Sequence, residues 1–378
     1  MRCFLVNGAS VHIWATSFDQ HFLRKGLNIV EEMKDHFDYK KQSYRKIIFI
    51  LLGLLICAIS FMTDVIVGPA SLTSHDVWLA VIQSPEVSKN ANVIVWSIRL
   101  PTAVMALLVG ASLGIAGAGM QTILDNPLSS PYTLGISAGA GFGASLVVVV
   151  GLSSLEFLGE FMVPFGAFIF AGLTSFFIYS INKIKSFSSE TMILAGIGMM
   201  FLFQALQSLM QYMATPEALQ NIVFWTMGSL SKATWLNISI VFIVLLLMLP
   251  LMMRESWRLT ALKLGDEKAA GLGINVERLR VKVFLFISII TAVAVSFVGT
   301  IGFIGIVGPH IARMLVGEDQ RYFLPLSAVC GMAILSLASI GSKMLIPGAM
   351  FPIGIVTAII GVPFFFSLVL TRKRSYFK

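Results

Sequence analysis

After Lys46 the chain carries nine stretches of 17 to 30 residues with no Asp, Glu, Lys or Arg: 47–63, 100–124, 126–155, 161–182, 191–216, 233–253, 283–312, 322–342 and 344–371. A bilayer's hydrocarbon core is about 30 Å thick and takes roughly 20 apolar residues of helix to cross. Inside it only helices and closed barrels satisfy every backbone hydrogen bond. These runs lack the polar–apolar alternation of barrel strands. The expected fold class is therefore an all-α polytopic membrane protein, working across or inside a lipid bilayer.

The placement of charge sets the topology. If residues before Lys46 face the cytoplasm, 23 of the 27 Lys and Arg fall on that side, and only Lys89, Arg99, Lys232 and Lys343 fall on the other. That is a strong positive-inside bias, and it accounts for the net charge of +8 without a nucleic-acid partner. It predicts both termini in the cytoplasm, hence an even number of spans. Nine runs are odd, and 283–312 is too long for one helix. It also breaks at Gly299, Gly302, Gly305, Gly308 and Pro309. A helix over 283–300 and a short one ending near Val316 bring the expectation to ten transmembrane helices.

A weak internal repeat divides them. VGASLGIAGAGMQ (109–121) resembles VGTIGFIGIVGPH (298–310), and ISAGAG (136–141) sits opposite LSAVCG (326–331). Five spans per half is odd, so the two five-helix halves lie in opposite orientations, as in many transporters. Any single glycine fits ordinary close helix packing as well. Residues 1–45 read as a cytoplasmic extension or as the product of a start upstream of the true one, Met33 leaving a short basic leader. The ten-helix domain runs over 46–374.

Several function classes are excluded by what the spans lack. Their interiors hold no ionisable group, since Asp64 and Asp125 sit at span ends and His310 follows a Gly/Pro break. A proton- or sodium-coupled secondary carrier, the alternative reading, calls for such a residue. No HExxH helix or pair of intramembrane aspartates is present. Cys3, Cys57 and Cys330 are scattered, with no CxxC, so neither a disulfide framework nor a metal site is expected. There is no GxxxxGK[ST] phosphate loop, and Gly-Lys never occurs. The chain is thus not expected to be an enzyme or to bind a cofactor. Energy from ATP and Mg would come through a separate subunit docking on the cytoplasmic side. The loop 254–282 offers a surface for it: a short helix from Asp266, with Glu267 in its first turn, ending at Gly271 or Gly273, then a second short helix after Asn275. An ordinary basic loop fits the composition equally well. In the fifth span Gln204, Gln207 and Gln211 fall on one helical face beside Ser208. Glutamine is costly against lipid, so this stripe points inward, to a pathway or to neighbouring helices.

RLPTAVMALLVGASLGIAGAGMQTILDNPLSSPYTLGISAGAGFG (99–143), LGDEKAAGLGINVERLR (264–280), GFIGIVGPHIARMLVGEDQR (302–321) and FPIGIVTAIIGVPFFFSLVL (351–370) stand in order along the chain. Together they resemble the FecCD family, permease subunits of ATP-binding-cassette (ABC) importers for iron–siderophore complexes, haem and cobalamin. The resemblance covers Lys46 to Arg374 and implies the type II importer permease fold. It implies an ATPase-coupling loop carrying Gly265, Asp266, Glu267, Ala270, Leu272 and Gly273, and a cytoplasmic gate at Asn126 and Leu128 with Ser188 and Ser189. It implies docking of an extracytoplasmic substrate-binding protein at Arg99 and Lys343. It favours the pathway reading of the glutamine stripe. Two departures stand out. RLPT replaces the family's RLPR, so Thr102 takes the second arginine's place; MFPIG replaces ELPIG, so Met350 takes the acid's. The implied partners are a second permease subunit (the same chain or a paralogue), an ABC ATPase dimer and the binding protein, in a bacterial or archaeal cytoplasmic membrane. Ferric siderophore is the leading cargo, with haem and cobalamin open.

Overall fold

The computed structural model describes residues 42–70, 72–152, 159–184, 188–345 and 349–371; the expected N-terminal extension falls almost wholly outside them. Residues 1–49 group as a unit of their own, of which 42–49 are the opening turns of the first helix, and the rest of the fold lies in 50–378. The helices, in chain order, are α1 (Gln42–Ile66), α2 (Ser74–Val81), α3 (Lys89–Ile94), α4 (Leu100–Ile123), α5 (Ile136–Val149), α6 (Gly159–Ile184), α7 (Ser189–Met213), α8 (Pro216–Thr226), α9 (Trp235–Arg254), α10 (Ser256–Leu262), α11 (Asp266–Gly271), α12 (Val276–Val298), α13 (Ile304–Val316), α14 (Gln320–Met344) and α15 (Ile353–Thr371). Among the described residues no strand occurs.

Among the described residues, seven helices are long and apolar enough to cross a bilayer: α1, α3 running on into α4, α6, α7, α9, α12 and α14. The shorter apolar α5, α13 and α15 bring the number to ten. Five precede α8 and five follow it, so the two sets enter the bilayer from opposite sides. The break expected in 283–312 falls at 299–303. Gly299 ends α12 with φ 76°, a left-handed backbone that glycine adopts without cost. A β-carbon there would also lie 2.1 Å from the Trp225 carbonyl oxygen. Phe303 holds φ 66° as the chain turns into α13, a strained position for a bulky residue.

Burial separates the centre from the lipid face. The most apolar stretch of α4 is 83% buried, whereas that of α9 is 17% buried. The shared core joins Met105, Ala106 and Val109 of α4 to Ile136 and Ala140 of α5, Val295 and Val298 of α12, and Leu335 of α14. Small residues let the backbones approach. A β-carbon at Gly110 would stand 2.4 Å from the Gly331 carbonyl oxygen, and one at Gly117 would stand 2.0 Å from that of Gly305. These glycines form a seam along which α4 meets α13 and α14.

Candidate functional site

At one end of the bundle, α9 gives way to a knob of short helices. The Glu255 carboxylate is fully buried; it accepts a hydrogen bond from Arg258 at 2.8 Å and another from Lys282 of α12. Burial pushes its pKa up, but the two bonds and the two positive charges outweigh that and hold it below the ordinary glutamate value. A depressed pKa means that this contribution to stability is complete above about pH 4.3 and fades only as pH falls further. Glu255→Gln is expected to cost about 2 kcal/mol at pH 7. Thermal unfolding in detergent across a pH series checks this, and the deficit should shrink at the acid extreme.

The knob then follows the expected course. Gly265 takes φ 102°, and α11 begins at Asp266, with Ala269 buried beneath it. Glu267, Ala270, Leu272 and Gly273 are exposed at the tip. The Asp266 carboxylate stays half exposed while Arg280 of α12 grips it with two bonds of 2.8 and 3.0 Å. The same guanidinium donates at 3.0 Å to the Ile123 carbonyl at the last turn of α4. Two features differ from expectation. The helix after Asn275 is no short element but the start of the α12 span, capped by the Asn275 side chain on Arg278 N at 2.9 Å. Before the knob lies α10, whose exposed Trp257 lines a cleft of about 690 Å³ with Lys263, Asp125, Glu318, Asp319 and Arg321. Its SWRLTAL sequence opens on a serine, but Ser256 is already the first helical residue and no side chain caps the helix.

The 126–131 turn follows α4 directly. Asn126 Oδ1 accepts from Leu128 N at 2.9 Å, and the Asn126 carbonyl accepts from Ser129 N at 3.1 Å. This side-chain turn presents Leu128 to an apolar cavity of about 750 Å³, shared with Phe303, Ile306, Val362, Phe365 and Phe366. Asn126, Ser188 and Ser189 do not line it. Ser188 instead caps α7, accepting from Thr191 N at 3.1 Å, and Ser189 opens that helix. A second, more polar cavity of about 400 Å³ is lined by Gln204, Gln207 and Gln211 together with Ser208, Ser137 and Met200. The glutamine stripe therefore faces one cavity. Tyr132, Thr226 and Thr300 line both chambers.

At the opposite end, the structure puts Arg99 and Lys343 inside the protein. Arg99 closes a π-helical turn at Val95–Arg99. Its guanidinium donates to the carbonyls of Val65 and Ile66 at 3.2 and 2.6 Å and of Ala70 at 2.7 Å. A cation there satisfies the orphan carbonyls at the C-terminus of α1. Lys343 Nζ donates at 2.8 Å to both the carboxylate and the carbonyl of Asp64, and Ser339 adds a bond of 2.9 Å to the same carboxylate. Both side chains are taken up within the chain, so neither offers its charge to a docking partner in this structure. Asp64, read from sequence as a span-end residue, is fully buried.

The sequence model of the FecCD transport family matches residues 54–371. The chain belongs to the FecCD transport family. Among its relatives, the hemin transport system permease protein of Yersinia pestis is 32% identical, over 86% of this chain and 96% of that protein. The molybdate import system permease protein of Haemophilus influenzae is 35% identical, over 88% and 98%. A solved inward-facing metal-chelate type ABC transporter superposes with a TM-score of 0.75 at 30% identity, covering 85% of this chain and 99% of the other. This FecCD protein is thus an ABC importer permease subunit with the ten-helix type II fold, and its relatives are transport subunits rather than enzymes.

Proposed function

We propose that the chain forms the translocation path for an iron chelate, a ferric siderophore in the leading reading, delivered by a binding protein and driven by an ABC ATPase on the α11 side. The observation that carries this is a continuous mechanical link. Arg280 holds α11 through Asp266 and holds the end of α4 through Ile123. Three residues beyond Ile123 begins the turn that aims Leu128 at the apolar cavity. A push on α11 would therefore reach the gate without passing through a flexible segment. The bias of basic residues supports a cytoplasmic α11, where ATP is found, and cytoplasmic termini with it. A second permease chain, the same or a paralogue, would complete the path, and Asn126, Ser188 and Ser189 would support the gate beside Leu128. The binding protein would meet the far face, whose helices Arg99 and Lys343 anchor from within.

An ATP-independent carrier is disfavoured by the linings themselves. Among the described residues, neither cavity presents Asp, Glu, Lys, Arg or His, and the buried Asp64–Lys343 pair is closed on itself at a bundle end. The reading is tested at the exposed tip of α11. Glu267→Lys in the complete importer is expected to cut ATP-dependent chelate uptake in proteoliposomes about tenfold or more, a loss equivalent to one charge-assisted contact at the interface. ATP hydrolysis by the partner should persist. Uptake and hydrolysis both at wild-type levels would sink the assignment of α11 as the coupling element.

A further inference from the structure

Arg280 ties the knob to α4, on the Leu128 side of the apolar cavity; α13 contributes Ile306 to the same cavity. The short helix α10 reaches the α13 side. The first amide of α14, that of Gln320, donates to Thr260 Oγ1 of α10 at 3.1 Å, while Asp319 caps the next amide, that of Arg321, at 3.2 Å. A hydroxyl from another element thus satisfies an orphan amide at a helix start. Gln320 is fully buried, and its Nε2 donates to the Glu318 carbonyl at 3.2 Å. Its tie to α4 is weaker. The Thr122 hydroxyl lies 3.3 Å from Gln320 Oε1 but also donates to the Ala118 carbonyl at 2.8 Å, and a hydroxyl has one proton to give. Arg313 of α13 pairs with Glu318 at 2.8 Å and lies over the Phe323 ring of α14 at 5.0 Å, so α13 and the start of α14 form one hairpin. One turn beyond Thr260, Lys263 stands 4.0 Å from the Glu318 carboxylate and pairs with Asp125; both carboxylates are open to solvent, so these contacts contribute little. The turn from α10 to α11 is closed by the Leu264 and Gly265 amides on the Ala261 and Leu262 carbonyls, at 3.0 and 3.1 Å. The two short helices are thereby a single body.

We propose that α10 is a second arm of the coupling knob, and that Thr260 is the positioning residue through which it moves the α13–α14 hairpin. This rests on the importer reading above and adds a route to it. The α11 arm acts on the α4 side of the cavity through Arg280, and the α10 arm acts on the α13 side through Thr260. One displacement of the knob therefore shifts Leu128 and Ile306 together. The glycine seam between α4 and the hairpin does not replace this arm. It sets backbone against backbone at Gly117–Gly305 and Gly110–Gly331, with no interlocking side chains at those points, and such a contact resists compression better than sliding. Removing the Thr260 hydroxyl strands the Gln320 amide in the interior and unhooks the hairpin from the knob.

The test follows the two walls separately in the purified importer, assembled with its ATPase in lipid nanodiscs. Cys3, Cys57 and Cys330 are replaced by alanine. A single reporter, Leu128→Cys or Ile306→Cys, is then labelled with a water-soluble maleimide, first without nucleotide and then with ATP and vanadate. In this parent both labelling rates are expected to change about tenfold between the two conditions, the response of a population switched from one state to another. Thr260→Val and Thr260→Ala remove the hydroxyl with and without its volume. Both are expected to hold the Ile306→Cys response within about twofold, for want of one buried hydrogen bond, while Leu128→Cys keeps its own. Thr260→Ser, which keeps the hydroxyl, is expected to restore both responses. ATP hydrolysis by each complex shows that it has assembled. A full Ile306→Cys response in the valine and alanine variants overturns the second arm, because packing against α4 then carries α13 along. Loss of both responses in those variants overturns it too, since the knob then acts as one arm, as does a parent in which Leu128→Cys alone responds; the α11 coupling reading survives each of these results. A parent in which neither reporter responds overturns that reading and this inference with it.

Discussion

Lys343→Met is expected to destabilise the folded chain by about 3–5 kcal/mol, the loss typical when one partner of a buried ion pair is removed. The Lys343 side chain is 2% exposed and that of Asp64 is 0% exposed, so water cannot compensate for either. After the substitution, the Asp64 carboxylate keeps, among the described residues, only the hydroxyl of Ser339. The effect should appear as a lower melting temperature of the purified protein in detergent. Removing both charges is the informative companion. Asp64→Asn with Lys343→Met is expected to recover at least half of the loss, because no uncompensated buried charge remains. A double variant as unstable as the single one would show that packing at the α1–α14 contact, rather than charge pairing, holds this end together.

Gly117→Ala is expected to be comparably severe despite adding a single methyl group. Its β-carbon would lie 2.0 Å from the Gly305 carbonyl oxygen, with two further backbone atoms of Gly305 at 2.6 Å. Backbone has to give way there rather than a flexible side chain, so about 3 kcal/mol is anticipated, the upper end for an overpacked methyl. Gly172→Ala on α6 is the matched control. Among the described residues nothing lies within 4 Å of its β-carbon position, and a change within about 0.5 kcal/mol is expected. The amount of folded protein recovered from membranes, followed by its melting temperature, separates the two. Equal behaviour of both variants would remove the glycine seam as the reason why α4 sits at the centre.

Much of the architecture was legible because a membrane imposes it. Charge-free runs mark spans, and the glycines around 299–309 mark where one run holds two helices; α12 and α13 divide there. The helix starting at Asp266 and the cap at Asn275 were also legible, since capping chemistry is local. The glutamine stripe was legible by exclusion, glutamine having no place against lipid. Other features depend on partners distant in the chain. Asp64 and Lys343 are 279 residues apart, so neither position revealed that the other neutralises it, and a basic residue near a helix end reads as exposed until its acid is found. The short α2, α3, α8 and α10 lack a run long enough for apolar periodicity to distinguish helix from loop. Asp266 was placed correctly on α11, but the Arg280 that occupies its carboxylate lies a full loop further on.

Thr300 belongs to the walls of two chambers at once, and its hydroxyl is tied to the Thr226 carbonyl, a residue in the same double position. A wall shared by both chambers cannot be displaced into one without enlarging the other. Whatever moves the α12–α13 junction therefore resizes the two compartments in opposite senses, so cargo crossing between them would meet one shifting wall and not two independent doors.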